Sequence, residues 1–543
     1  MIGQERTIGN RSNEAYSLPK EVCTLDSFSH FPTPGGTNVL SLILYALIPS
    51  MLGFLECLLA AMGLLSLVHV LLALYHLLLN PLRRFPGPKL DALSQVVWSY
   101  HLVRGDSAKY ITKLHEKYGD VVRTASNELS FISSSAWQEI YGNKVSWVNV
   151  YEKNGVAYLQ GNQDTTNIFF ARSRQHASVR RMMAPAFSDR AVKEQEYLIQ
   201  ECLDQMMTSL HKRNGQACFP LEDGVVNMAA WFNFEVFDVL SSLSFGASMG
   251  SLKSGEYHPW IEVIYGAIKH STLIQSAHRL KPYHRILEWF IPQEVGNQYE
   301  VHLANCTKTL RARLEKPDTE RRDILSFILN QMSYEELLDN VNILVTAGGD
   351  STATTLTSVA YYITHSPHSY AILVKEIRDT FRDESEITIS AVMKLKYLRA
   401  VIDETMRIHP SVPVGLPRIV PKGGRFIDGR FVPGGTWVSV TQLTAYRYPK
   451  YFKDPENFIP ERWLGDSRFD SDNRDVFHPF SIGARNCIGQ NLATSNMRLA
   501  IARLLWNFDL ESQPDNVDPH DSREYGLWEH RPLNIKLTNV QRT

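Results

Sequence analysis

The sequence predicts a mainly α fold with a minor β part, organised as one large domain behind an N-terminal membrane anchor. Three observations carry that expectation. Apolar residues recur at i, i+3 and i+4 through most of the chain after residue 80, the spacing of an amphipathic helix. Strand-like runs are few and short. Residues 39–79 are almost uninterrupted apolar sequence, with Glu56 the one acid and no lysine or arginine.

Taken in order, residues 1–38 form a tail and residues 39–80 the anchor. A bilayer span needs about 20 apolar residues, and residues 57–79 (CLLAAMGLLSLVHVLLALYHLLL) supply the best-placed one. Residues 39–55, which contain Pro49, read as a second span or an interfacial approach. A buried core helix is the competing reading of the run. A cleaved signal peptide fits worse, because the run is too long and lacks a small-residue cleavage pattern. Arg83, Arg84 and Lys89 follow the span, whereas residues 21–38 carry no lysine or arginine. The positive-inside bias then places everything after residue 80 in the cytosol and the tail in the lumen of the endoplasmic reticulum. There the N-R-S sequon at Asn10 is a glycosylation acceptor.

The prolines of RRFPGPK fix φ and force extended geometry on their predecessors, so this stretch reads as a rigid hinge. No linker composition follows it, and residues 81–543 are expected to form one domain. Helical periodicity covers residues 108–118, 192–212, 226–244, 259–274, 334–364, 369–382 and 394–407, while VVRTA, LSFIS and WVSVT supply strands.

Composition narrows the function. A formal net charge of -1 without a long charged block argues against a nucleic-acid partner. The six cysteines, Cys23, Cys57, Cys202, Cys218, Cys306 and Cys487, include no C-x-x-C pair. That spacing disfavours zinc ribbons and iron–sulfur clusters, and so few cysteines in so long a chain do not make a disulfide scaffold.

The most informative stretch is FHPFSIGARNCIGQNLA, residues 477–493, where a lone cysteine lies between Gly483 and Gly489 and follows Arg485. Flanking glycines let backbone approach a flat, bulky group and let amides point at a sulfur. A thiolate held in this way is a metal ligand or a nucleophile, and His478 is the nearby base that the second reading requires.

Phe480, Gly483, Arg485, Cys487 and Gly489 reproduce F-x-x-G-x-R-x-C-x-G, so the chain resembles the haem-thiolate monooxygenases, the cytochrome P-450 family. The resemblance implies haem b, with Cys487 as axial ligand and Arg485 paired with a haem propionate. A thiolate ligand favours O–O cleavage, which a histidine does not. Glu404 and Arg407 of ETMR and Arg462 of PERW resemble the family's buried Glu–Arg–Arg triad, although E-x-x-R alone also describes a solvated helix pair. His176 and Arg180 match its W/H-x-x-x-R helix, and Arg418 another propionate contact, with an exposed basic face as the alternative. NPLRRFPGPKL and ELSFISSSAWQEIYG resemble membrane-bound fungal members of secondary metabolism.

Within 334–364, VTAGGDSTATTL places two glycines, an acid and three hydroxyls where a regular helix is expected. By the resemblance this stretch overlies the haem: Gly348 and Gly349 let the helix widen for dioxygen, Asp350 relays protons, and a hydroxyl delivers them. Ser351 stands where threonine is commoner, and Thr352 is the alternative donor. A bond from either hydroxyl to the i−4 carbonyl is the structural alternative.

The implied reaction is insertion of one oxygen atom into a hydrophobic small molecule. Electrons would come from NADPH through a separate NADPH–cytochrome P-450 reductase, with cytochrome b5 as a second donor. A haem-thiolate isomerase or dehydratase that needs no reductant is the alternative, and retention of Asp350 and Ser351 argues against it. Variable stretches around 145–170, 260–279 and 411–416 are expected to line the substrate pocket.

Overall fold

The structure, a computed structural model, describes residues 39–142, 150–158, 167–211, 224–292, 294–315 and 321–542. The expected lumenal tail with Asn10 lies outside the described residues, as does part of the predicted pocket stretch 145–170.

Two units divide the chain, residues 1–70 and 71–543. In the first, α1 (Val39–Leu74) runs helical through Pro49. Gly53–Leu79 is long and apolar enough to cross a membrane, and its side chains are not buried. A core helix would be buried, so the exposure of Gly53–Leu79 argues against that alternative reading.

The second unit begins from the sequence rules above. Helices α2 (Val96–Arg104), α3 (Ser107–Tyr118) and α4 (Ser134–Tyr141) precede and flank a mixed sheet. This sheet orders β1 (Val121–Ala125), β2 (Glu128–Phe131), β5 (Trp437–Val440), β4 (Arg418–Ile419) and β3 (Glu152–Lys153). Its β2–β5 pair is parallel and the others antiparallel. Leu129, Phe131, Trp137, Val438 and Val440 build the apolar core beneath it.

The helical body holds the larger core. It comprises α5 (Ser173–Met183), α6 (Glu196–His211), α7 (Met228–Phe245), α8 (Pro259–Arg279), α9 (Glu294–Leu314), α10 (Tyr334–Thr364), α11 (Pro367–Thr380), α12 (Lys396–Ile408) and α13 (Gln490–Asn507). Every residue of α7 is buried, which makes it the centre of the packing. α10 crosses it. A capping box at Ser333 and Glu336 starts α10, and hydrogen bonds reach its C-terminal residue Thr364.

The expected widening of α10 is not found, since α-helical geometry persists throughout Tyr334–Thr364. Its two glycines serve packing instead. A Cβ at Gly349 would stand 2.5 Å from the Phe237 ring, and one at Gly348 3.1 Å from Leu240, both on α7. The glycines therefore let two helices approach closely; the room they make is occupied by α7 side chains.

Candidate active site

A cavity of ≈ 1050 Å³ lies between α8, α10, the sheet and the loop that precedes α13. Cys487 faces it from one side, Ser351 and Thr352 from α10, and Arg418, Arg485 and His176 from a third wall. Residues of the predicted pocket stretches, among them Phe169, Ile264, Ile268 and Val412, also line it.

The cysteine loop owes its shape to backbone chemistry. The Cys487 amide donates to the Phe480 carbonyl at 2.8 Å, closing the turn that carries the thiol. Gly483 adopts φ +75, where a Cβ would stand 2.0 Å from the Tyr141 carbonyl oxygen, so only glycine fits. A Cβ at Gly489 would lie 4.0 Å from the sulfur, and α13 begins one residue later. Enclosure pushes the Cys487 thiol pKa up, whereas the Gly489 amide and the Arg180 charge pull it down. The thiol-bearing residue lines the cavity. His478 does not serve it: its ring packs edge-on to Trp137 at 5.2 Å and lines a different cavity. The nucleophile reading loses its base.

Basic side chains share the cavity with the thiol. Arg485 donates to the Ala171 carbonyl at 2.9 Å, with Glu152 at 3.5 Å, and its Nη1 is buried without a hydrogen-bond partner. Arg418, on β4, donates to the Tyr158 hydroxyl at 3.0 Å. His176 on α5 is buried, and burial followed by the neighbouring cations lowers its pKa to about 3, so the ring is neutral. Arg180, also on α5, grips Asn486 at both its carbonyl (2.7 Å) and its side-chain oxygen (2.6 Å). It thereby anchors the residue before Cys487. An orphaned guanidinium nitrogen and clustered unpaired positive charge beside an apolar cavity fit the carboxylates of haem b, and the thiol fits its iron.

On α10 the acid and the hydroxyls face different ways. Ser351 and Thr352 line the cavity, with the Ser351 hydroxyl donating to the Ala347 carbonyl at 3.2 Å. Thr352 makes no side-chain hydrogen bond among the described residues. Asp350 is buried and turned away, its Oδ1 paired with the His530 ring and its Oδ2 without a partner. His530 reaches the surface beside Tyr265.

The triad residues meet as the resemblance implied. Glu404 Oε2 accepts from Arg407 Nε at 2.9 Å and Oε1 from Arg462 Nε at 3.0 Å, with all three side chains 0% exposed. Trp463 Nε1 and the Ile459 amide, both at 2.9 Å, complete the carboxylate. Arg462 also pairs with Asp472 at 2.6 Å. Sequence reasoning missed Trp463, Asp472, Asn486, Tyr158 and His530. Asn486 and Trp463 adjoin motif residues and could have been flagged, and Tyr158 lies within the predicted pocket stretch 145–170; Asp472 and His530 carry no local signal.

A sequence model of the cytochrome P-450 family matches residues 86–537. The chain belongs to the cytochrome P-450 family. Similar proteins include the cytochrome P450 monooxygenase lnbC of Aspergillus flavus, 56% identical over 472 residues that cover 87% of this chain and 94% of that one. FrzC of a Cladobotryum species, likewise a cytochrome P450 monooxygenase, is 45% identical over 480 residues, 88% of this chain and 97% of its own. The monooxygenase astA of Talaromyces wortmannii is 39% identical over 474 residues, 86% and 94% of the two chains. A cytochrome P-450 uses a haem-thiolate cofactor and takes electrons from a reductase, and the mainly α architecture with small sheets is that of the family.

Proposed function

We propose that the protein is a monooxygenase of secondary metabolism that inserts one oxygen atom of O2 into a hydrophobic small molecule. The balanced reaction is RH + O2 + NADPH + H+ → ROH + H2O + NADP+. The observation that carries this reading is one cavity shared by a shielded thiol, a carboxylate-binding wall, two α10 hydroxyls and an apolar lining. Haem b, when bound, supplies the iron at which oxygen is reduced.

The chain's own residues have separable tasks. Cys487 would ligate the iron as thiolate, a form that the Gly489 amide and the Arg180 charge favour against the larger opposing effect of burial. Arg485, Arg418 and His176 receive the cofactor's carboxylates, and Arg180 fixes the cysteine loop through Asn486. Ser351 presents a proton from its hydroxyl, with Thr352 beside it. Asp350, paired with the surface-reaching His530, would recharge that hydroxyl only after turning from His530 toward the cavity, and His530 connects it to solvent. Glu404, Arg407 and Arg462 clamp the scaffold behind the thiol.

Electrons come from NADPH through the membrane-bound NADPH–cytochrome P-450 reductase, with cytochrome b5 as an accessory donor. The apolar helix holds the protein in the endoplasmic reticulum membrane with its N-terminus lumenal, because the arginines and lysine lie on the other flank. Fungal relatives and the resemblance of the FPGPK region support a role in secondary metabolism. The test is product formation by membranes containing the protein and reductase: it should require NADPH and carry label from ¹⁸O2. Product formed without NADPH, reductase or peroxide would instead establish the isomerase reading.

A further inference from the structure

Lys153, on β3, is a residue that neither the cysteine motif nor the helix motifs contain. Its side chain lines the cavity with Arg418 and Arg485. The ammonium donates to the Phe169 carbonyl at 2.7 Å and lies over the Phe169 and Tyr158 rings, 3.5 Å and 4.4 Å from their centroids. An ammonium carries three donors, and among the described residues one is used here. Tyr158, beneath it, accepts from Arg418, so Lys153, Tyr158 and Arg418 form one continuous wall.

The charges of this wall do not balance. Lys153, Arg418 and Arg485 contribute three positive charges, and Glu152, 3.5 Å from Arg485, contributes one negative. The fourth cation nearby, Arg180, is committed to Asn486 and interacts with Cys487, so its charge belongs with the thiolate. His176 is neutral. Among the described residues, and with Lys153 protonated, the wall therefore carries a surplus of two positive charges in an enclosed place, where unpaired charge is costly. Burial, then the Arg418 and Arg485 charges, hold the Lys153 pKa well below its ordinary value. A partner with two negative charges is what this site lacks.

We infer that Lys153 is a further cofactor-carboxylate ligand, completing with Arg418 and Arg485, beside the neutral His176, a wall whose surplus charge matches the two propionates of haem b. This inference rests on the haem-thiolate reading of the site. It goes beyond that reading by assigning a residue outside every family motif and a charge count for the wall. Tyr158 acts as a positioning residue, holding Arg418 beside the ammonium.

The experiment compares holoenzymes of wild type, Lys153→Met, Lys153→Arg and Tyr158→Phe. The first readout is the rate of haem transfer to excess apomyoglobin. The second is the propionate bending bands in the resonance Raman spectrum. Lys153→Met is expected to lose haem about 10- to 100-fold faster, equivalent to about 1.4–2.8 kcal/mol, with the propionate bands shifted and the iron–sulfur band unchanged. Lys153→Arg should recover most of the retention, and Tyr158→Phe should give a smaller loss of the same kind. Lys153→Met that retains haem at the wild-type rate, or loses it without a change in the propionate bands, overturns the inference. So does a Lys153→Arg variant as haem-poor as Lys153→Met, since charge would then not be what matters. A wild-type protein without a thiolate-ligated haem spectrum would sink the reading of the site itself, a separate outcome from either of these.

Discussion

Replacing Glu404 by alanine removes the acceptor at the centre of the scaffold behind the thiol. Its two oxygens receive Arg407 twice, Arg462, Trp463 Nε1 and the Ile459 amide, all between 2.9 and 3.0 Å. Arg462 would keep Asp472 and two carbonyls. Among the described residues Arg407 would keep the Tyr446, Pro455 and Asn457 carbonyls and no anion. Breaking a buried pair by removing one partner costs about 3–5 kcal/mol. Each newly unpaired buried donor adds about 1–3 kcal/mol. A combined loss of about 5–10 kcal/mol is comparable to the whole stability of a typical domain, about 5–15 kcal/mol. The assay is haem content per polypeptide together with the urea midpoint. Glu404→Ala should purify with little or no haem and a much lower midpoint, and Glu404→Gln should fall between it and wild type. Glu404→Ala with wild-type haem content and midpoint would refute the claim that this triad supports the cysteine loop.

Three further expectations follow from other parts of the site. Ser351→Ala should lower product formed per NADPH consumed, with product formation falling by about 10²-fold, the low end of general acid contributions; a larger effect from Thr352→Ala would move the proton donor to Thr352. His530→Leu strips buried Asp350 of its one partner and should lower coupling while increasing the solvent isotope effect, and wild-type coupling would remove His530 from the path. The third concerns acid stability. His409 is buried between Ser358 and the Trp528 ring, and burial holds its pKa at about 3, against an ordinary 6.5. Below pH 6.5 the unfolded chain takes up a proton that the folded ring refuses until about pH 3. This group's contribution is therefore intact above pH 6.5 and declines by about 1.4 kcal/mol per pH unit as pH falls. His409→Phe should show a shallower loss of urea stability on going from about pH 7 to about pH 5; an unchanged slope would contradict it.

What was legible in the sequence follows from which signals are local. The long apolar stripe of α10 gave its limits as residues 334–364, and VVRTA is β1 to the residue. α13 carried no such stripe because nearly all of it is buried, leaving no polar face to set a period. α9, rich in polar residues and containing Gly296, was missed for the opposite reason. The predicted helix at 192–212 is interrupted at Gln195, whose amide Nε2 donates to the Ala186 carbonyl, and its main part is α6.

The site divides in the same way. Cys487, Arg485 and the glycines sit in one short motif and were readable together. Which way Asp350 points was not, because His530, 180 residues away, decides it. Gly348 and Gly349 stand out in the sequence, but the widening expected of them is absent, and their role is the close approach of Phe237 and Leu240. Lys153 had no spacing signal at all, since its partners come from β4, the cysteine loop and the segment around Phe169.

The central claim is that Cys487 ligates a haem iron as a thiolate in this cavity. The carbon-monoxide difference spectrum of the reduced, full-length protein tests it most directly. Wild type should show the strongly red-shifted Soret band of a thiolate-ligated haem, and Cys487→Ala should lack it. A wild-type spectrum without that band, or a Cys487→Ala variant that retains it, would contradict the account.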